Sequence, residues 1–291
     1  MFSVILYNVL LIFAVHEVRG KSIFVADDYV VRIGSRLYRR ELLTSLYSGA
    51  KELAYDPLSR RLYFMHMDPL IQNSGRAFVN IDTMTHGKID GIRYNKATAV
   101  DERTGDVYFG SENGLYKYDS GSNTAVDIGL YNINILKLVI RNGEMYLIDA
   151  DDHMLYRVMD NATAVTKVGE WKTVMQFDVD NGKNCHFVNM SGVFCARNRY
   201  EVNKIDIDTV HHYIVEKDYA LAINWDTIYK IDCDNGTAER IGQLYFAPSS
   251  IVLGNDGDIM YSIDDEIYLL RPMTHYYLYV IRRRSINKEH Q

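Results

Sequence analysis

The sequence predicts an all-β chain folded as a six-bladed β-propeller, with the last blade completed by a strand from the N-terminal end. Three observations carry this expectation. First, the hexamer Gly114-Leu115-Tyr116-Lys117-Tyr118-Asp119 returns in altered form around Tyr156, Phe194, Tyr229 and Tyr268. The spacing is roughly 35 to 40 residues, the period of a propeller blade. Second, each repeat holds up to four short apolar runs separated by Gly, Asn, Asp and Ser, the pattern of four antiparallel strands. Third, no stretch shows an amphipathic helical period, and the chain has 23 Tyr and only 4 Pro. Tyr suits a pleated, half-buried surface, so strand content accounts for its excess.

Taken in order, residues 4–15 form a short apolar block followed by Val18-Arg19-Gly20. The block is too short to span a bilayer, and small residues flank a cleavage point after Gly20. Residues 1–20 are therefore expected to be a secretion signal, and the mature protein to be extracellular. Ser22–Val25 and Tyr29–Ile33 are the candidates for the strand lent to the last blade, which removes an exposed sheet edge.

Residues 50–90 read as the first blade, with Leu53-Ala54-Tyr55, Leu62-Tyr63-Phe64 and Phe78-Val79 as strand cores. The second is the clearest, running from Ala97 through Val107-Tyr108-Phe109 and the Tyr116 strand to Ile128. Residues 129–168, 169–208, 209–241 and 242–272 supply the other four; the fifth is degenerate, and the sixth lacks an outer strand. The propeller is thus expected over 21–272, with 273–291 as a tail carrying Arg282-Arg283-Arg284, or with Tyr276–Val280 as an added edge strand.

The chain has 291 residues and a net charge of −6. That charge disfavours nonspecific binding to nucleic acid or to an anionic membrane, so neither is expected as a partner once the signal is cleaved. Asn161, Asn189 and Asn235 head glycosylation sequons at predicted turns. Of the three cysteines, Cys185 and Cys195 flank a predicted hairpin, and a cross-strand bridge between them is the expectation. Cys195 with Cys233, on neighbouring blades, is the rival pairing.

A propeller gathers the entries to its innermost strands and the loops between second and third strands at one end of its channel. The entries hold Tyr47, Tyr94, Asn134, Trp171, His211, His212 and Phe246. The loops hold His66, Glu112, Asp149, Asp151, Asp152, Trp225, Asp226, Asp264 and Asp265, among others. Tyr47, Tyr94, Trp171, His212, Trp225 and Phe246 are the candidate ligand contacts, since aromatics offer rigid contact area with a polar handle. The carboxylates raise a calcium reading, but Asp and Asn also simply make turns, and no metal ligand is assigned. His211 and His212, as strand neighbours, are expected to point apart. No nucleophile elbow, zinc-protease motif, phosphate loop or dinucleotide fingerprint is present. A binder without cofactor is the expectation, and a calcium-dependent lactonase or esterase of the six-bladed type is the alternative.

Arg40–Ser48 running into Leu53-Ala54-Tyr55-Asp56 and Leu62-Tyr63-Phe64 resembles the opening of the insect ommochrome-binding proteins. So do Val100-Asp101, Thr104–Tyr108 and the Gly114–Asp119 strand. The resemblance covers about residues 30 to 271. It implies a secreted haemolymph carrier of a planar phenoxazinone pigment, with no catalysis, in which Tyr and Trp faces would stack on the pigment and His or Arg would meet its carboxylates.

Overall fold

The computed structural model describes residues 30–68, 73–197, 201–215 and 219–273. The expected signal, the Ser22–Val25 candidate and the tail beyond Met273 lie outside the described residues.

The strands follow the turn punctuation closely. After β1 (Val30–Ile33) and β2 (Arg36–Thr44) comes a first blade of β3 (Lys51–Asp56), β4 (Arg61–Asp68), β5 (Asn73–Asn80) and β6 (His86–Ile89). The second holds β7 (Asn95–Asp101), β8 (Asp106–Ser111), β9 (Gly114–Asp119) and β10 (Thr124–Gly129). The third holds β11 (Ile135–Arg141), β12 (Glu144–Asp149), β13 (Leu155–Met159) and β14 (Ala164–Lys167). The fourth holds β15 (Gln176–Val179), β16 (Cys185–Asn189), β17 (Gly192–Arg197) and β18 (Glu201–Ile205). The fifth holds β19 (His212–Val215), β20 (Ala220–Asn224), β21 (Thr227–Asp232) and β22 (Thr237–Gln243), and the sixth opens with β23 (Ser250–Leu253), β24 (Ile259–Ile263) and β25 (Glu266–Pro272).

Each blade is sandwiched between two others, so the middle strands are buried on both faces. β16, β20 and β24 each begin with four consecutive buried residues, where a one-sided sheet would alternate. The apolar core is accordingly divided among the seams between blades. One cluster joins Tyr63 to Phe109, a second Ala99 to Ile135, and a third Tyr146 to Phe177. The others join Val193 to Tyr213, Ile223 to Tyr261, and Met260 to Phe64 across the closing seam. The repeated aromatics Tyr116, Tyr156, Phe194, Tyr229 and Tyr268 all sit on third strands, each in the cluster shared with the preceding blade. They are packing residues.

The ring closes through the N-terminal end, but not through the strands expected. β2 pairs antiparallel with β25, from Tyr38 opposite Pro272 to Thr44 opposite Ile267. Val30–Ile33 lies outside β2 and reaches the fifth blade, Ile33 pairing with Gly242. The charges in Arg39-Arg40-Glu41 conceal β2 as a strand. In the fold they are settled by neighbours: the Arg40 guanidinium stacks 3.7 Å from the Tyr268 ring centroid, and Glu41 accepts from Arg271 at 3.1 Å.

The expected Cys185–Cys195 bridge is corrected as well. Cys185 lies opposite Ala196, and His186 lies opposite Cys195. A one-residue offset puts Cys185 and Cys195 on opposite faces of the sheet. Cys195 is instead bonded to Cys233 across the seam between the fourth and fifth blades, with Cα atoms 5.7 Å apart, while Cys185 is buried in the other seam. At the sequons, Asn161 and Asn235 are exposed and Asn189 is half-buried.

Candidate functional site

One backbone device recurs in all six blades. Where the inner strand begins, the chain is tied by a backbone hydrogen bond to the far end of the second strand or its following turn. The bonds are Met67 to Ser48, Glu112 to Tyr94, Ala150 to Asn134, Met175 to Val188, His211 to Ile223 and Ser249 to Ser262, at 2.7 to 3.3 Å. Entries and second loops therefore share one end of the channel, here called the mouth.

The structure separates the predicted contacts. Tyr47 is 7% exposed and packs edge-on against Phe64, so it belongs to the core. Trp171 is half-buried and stacked on Phe187 at 4.6 Å, inside the fourth blade's seam. Tyr94, Trp225 and Phe246 are exposed at the mouth, and so are two residues that sequence reasoning missed, Tyr131 in the entry to β11 and Tyr245 beside Phe246 in the chain. Trp225 lies against the His211 ring at 4.6 Å. His212 lines the channel itself.

The channel below the mouth is a cavity of about 250 Å³ walled by five of the six inner strands or their entries. Its polar groups satisfy one another. Glu52 and Lys137 form a salt bridge of 3.0 Å across it. Gln176 donates to the His211 carbonyl at 2.6 Å and accepts from the Tyr213 amide at 3.0 Å. Ser250 accepts from the Leu53 amide, His212 Nε2 donates to the Pro248 carbonyl at 2.9 Å, and His211 Nδ1 accepts from the Trp225 amide. Burial pushes the His212 imidazole below its ordinary pKa, against the opposing hydrogen bond to Pro248, so it is neutral at neutral pH. His211 precedes the strand, so strand alternation does not separate it from His212, and both line this cavity.

This donor set does not fit a hard divalent cation, which takes six to eight oxygens and several carboxylates. Glu52 is the single carboxylate among the cavity's lining residues, and an ammonium already meets it. Other mouth carboxylates are already engaged: Asp149 accepts from the Asp151 amide and Asp152 from the Met154 amide in turns, and Asp265 accepts from the Gly49 amide between the sixth and first blades.

A larger cavity, about 670 Å³, lies at the opposite end, the base. It is built where the β1–β2 turn, the first turns of the first, second and sixth blades and the second, third and fourth strands of the fifth converge. Tyr38, Tyr55, Leu221 and Ile259 supply buried apolar wall, and Tyr219 stands 40% exposed beside them. Arg36 and Lys230 also line it, and among the described residues neither has a salt-bridge partner. Glu102 on the same wall is paired with Arg141 at 3.3 Å, and Asp256 caps the far side on a one-turn 3-10 helix. No motif in the sequence points to this cavity, because its residues come from widely separated stretches of chain.

The chain is similar to the ommochrome-binding protein of Manduca sexta, with 23% identity over 271 residues that cover 90% of this chain and 98% of that protein. No protein-family model matches it. Among solved structures it is similar to a gluconolactonase from Xanthomonas campestris, with TM-score 0.67, 11% identity, and 84% of this chain and 95% of that one covered. It is also similar to a calcium-binding regucalcin from Agrobacterium tumefaciens, with TM-score 0.61, 11% identity and coverage of 81% and 94%. A streptogramin B lyase matches with TM-score 0.54, 13% identity and coverage of 81% and 98%. At these identities the solved structures establish the propeller fold alone.

Proposed function

We infer that this chain is a non-catalytic carrier of a small, planar, acidic aromatic molecule of the ommochrome class, working outside the cell. The observation that carries the reading is the base cavity, where the exposed Arg36 and Lys230, without a salt-bridge partner among the described residues, stand beside a wall of tyrosine and aliphatic side chains. Its volume lies in the range of small-molecule sites, roughly 300 to 1,000 Å³. Tyrosine faces suit a conjugated ring system, and Arg36 and Lys230 suit its carboxylates. The whole-length similarity to an ommochrome-binding protein supports the same class of ligand. Extracellular residence is inferred from the N-terminal apolar block; among the described residues no helix is long and apolar enough to cross a membrane.

A second placement of the same ligand rests on a specific observation. The mouth carries the exposed aromatics Tyr94, Tyr131, Trp225, Tyr245 and Phe246. Its cavity is small and its polar groups are mutually engaged, so a pigment there would lie across the rim. The lactonase alternative is disfavoured by the ion pair between Glu52 and Lys137, which occupies the channel carboxylate.

The test is titration of purified protein with an ommatin, followed by the shift of the visible band. A saturable shift at one equivalent is expected. Absence of any shift at millimolar ligand, or chelator-sensitive hydrolysis of a lactone, overturns the reading.

A further inference from the structure

A cluster in the seam between the fourth and fifth blades lies outside both cavities apart from Tyr213, which also lines the channel. His186 on β16 is 4% exposed. Its Nδ1 lies 3.4 Å from Cys195 Sγ and 3.4 Å from Cys233 Sγ, and 3.1 Å from the Tyr213 hydroxyl. Its Nε2 lies 3.4 Å from Asp180 Oδ2. The three ligand atoms of His186, Cys195 and Cys233 all fall within 4.8 Å of one another.

The proton on His186 is assigned by its neighbours. Asp180 also accepts from the Asn184 side chain and amide at 2.8 Å, which fixes its carboxyl beside His186. Asp180 Oδ2 takes the N–H of Nε2. The lone pair of Nδ1 then faces both sulfurs, and the Tyr213 hydroxyl donates to it. A carboxylate behind a histidine whose other nitrogen faces thiolates is the supporting arrangement of zinc sites.

We propose that reduction of the Cys195–Cys233 disulfide opens a zinc site made of His186 Nδ1 and the two cysteine sulfurs, with Asp180 as its positioning residue. With Zn–S of about 2.3 Å and Zn–N of about 2.0 to 2.1 Å in a tetrahedron, nitrogen and sulfur stand about 3.5 Å apart. Both nitrogen–sulfur distances already lie close to this value, so only the two sulfurs must separate, to about 3.8 Å. The electrons come from an external dithiol, which becomes a disulfide as Cys195 and Cys233 each gain an electron and a proton. Zinc binding then releases those two protons to solvent. Tyr213, whose hydroxyl lies 3.9 Å from Cys195 Sγ, transfers its hydrogen bond from Nδ1 to the thiolate. The fourth position opens toward the half-buried Cys233, where water can enter. The bound ion replaces the covalent link between the two blades, so the seam stays joined in both redox states.

The test uses full-length protein, oxidised and phosphine-reduced, titrated with Co²⁺ as the spectroscopic probe. The reduced protein is expected to bind one equivalent, with a near-ultraviolet thiolate-to-cobalt band and visible bands of tetrahedral intensity, and Zn²⁺ is expected to bleach them. The oxidised protein is expected to show neither. His186→Ala should weaken binding at least tenfold, Asp180→Asn about 10- to 100-fold, and Cys185→Ser should leave the spectrum unchanged. Near-ultraviolet circular dichroism follows folding in parallel. The proposal is overturned by a folded, reduced protein without the band, or by one that unfolds on reduction and does not refold with Co²⁺. A band indifferent to His186→Ala, or one lost in Cys185→Ser, overturns it equally.

Discussion

The two ends of the channel differ in how charge and backbone are settled. At the mouth, entry loops are tied to second loops in every blade, and Glu52 meets Lys137 within the channel. At the base, turns of different blades converge with one such tie on the cavity, from the Gly34 amide to the Ile241 carbonyl, and Arg36 and Lys230 line it without a salt-bridge partner among the described residues. The mouth settles its channel charge within the protein, whereas the base presents two exposed cations beside buried apolar wall.

Backbone substitutions test the structural half of this contrast most strongly. Gly129, at the mouth end of β10, has φ +135, and a Cβ there would meet the Ala162 carbonyl oxygen at 2.4 Å. Gly129→Ala combines a disfavoured conformation with a backbone clash, and an equilibrium denaturation curve should record a loss of about 3 kcal/mol or more. Gly34 at the base has φ +59, but a Cβ there meets nothing within 4 Å. Gly34→Ala should lose only about 1 kcal/mol, the left-handed backbone strain alone. Equal losses at both positions would erase the contrast.

Ligand affinity comes next. If the base holds an acidic pigment, the double variant Arg36→Ala, Lys230→Ala should weaken binding by about 10- to 100-fold, from the loss of charge-assisted bonds worth about 1.5 to 3 kcal/mol. Trp225→Ala should change affinity by less than about threefold. The opposite ranking, read from the same titration, would move the site to the mouth.

The channel ion pair should matter less. Glu52 and Lys137 are about one-third exposed, at 27% and 33%. Glu52→Gln is therefore expected to lower stability by no more than about 1 kcal/mol. A larger loss by chemical denaturation would show that the pair is more deeply shielded than its exposure indicates.

The smallest effect concerns pH. The His212 imidazole is held below its ordinary value in the fold, so as pH falls the unfolded chain takes up this proton first. Stability contributed by a neutral His212 is complete above the unfolded value of about 6.5 and declines as pH falls from there toward the folded value. His212→Gln should flatten that part of the stability profile, measured by denaturation midpoints across the pH series. An unchanged slope would assign it to other groups.

Much of the architecture was legible in one dimension because a blade is a local unit. The Tyr116 hexamer and its copies marked third strands correctly, since each strand pairs with neighbours only a few residues away along the chain. The closing strand was not legible. Arg36–Thr44 carries charges that look like loop until Tyr268 and Arg271 stand beside them. The disulfide partner was missed for a related reason: the hairpin brings Cys185 and Cys195 near each other, but its register turns their side chains apart.

The candidate site shows the same division. Tyr47 and Trp171 were placed at the right end by topology, yet sequence could not tell an aromatic turned into a seam from one turned into solvent. Tyr131 and Tyr245 went unnoticed because nothing in their neighbourhood distinguishes them from ordinary turn residues. By itself the sequence determined the repeat, the strand order within each blade and the end of the channel where the entry loops gather, because these depend on hydrophobic period and turn chemistry over short distances. Only the tertiary structure decided which strand closes the ring, which cysteines join, and which cations lack a salt-bridge partner among the described residues. Those depend on residues from distant blades meeting at a seam or on the axis, where side-chain direction and charge balance are properties of the closed ring.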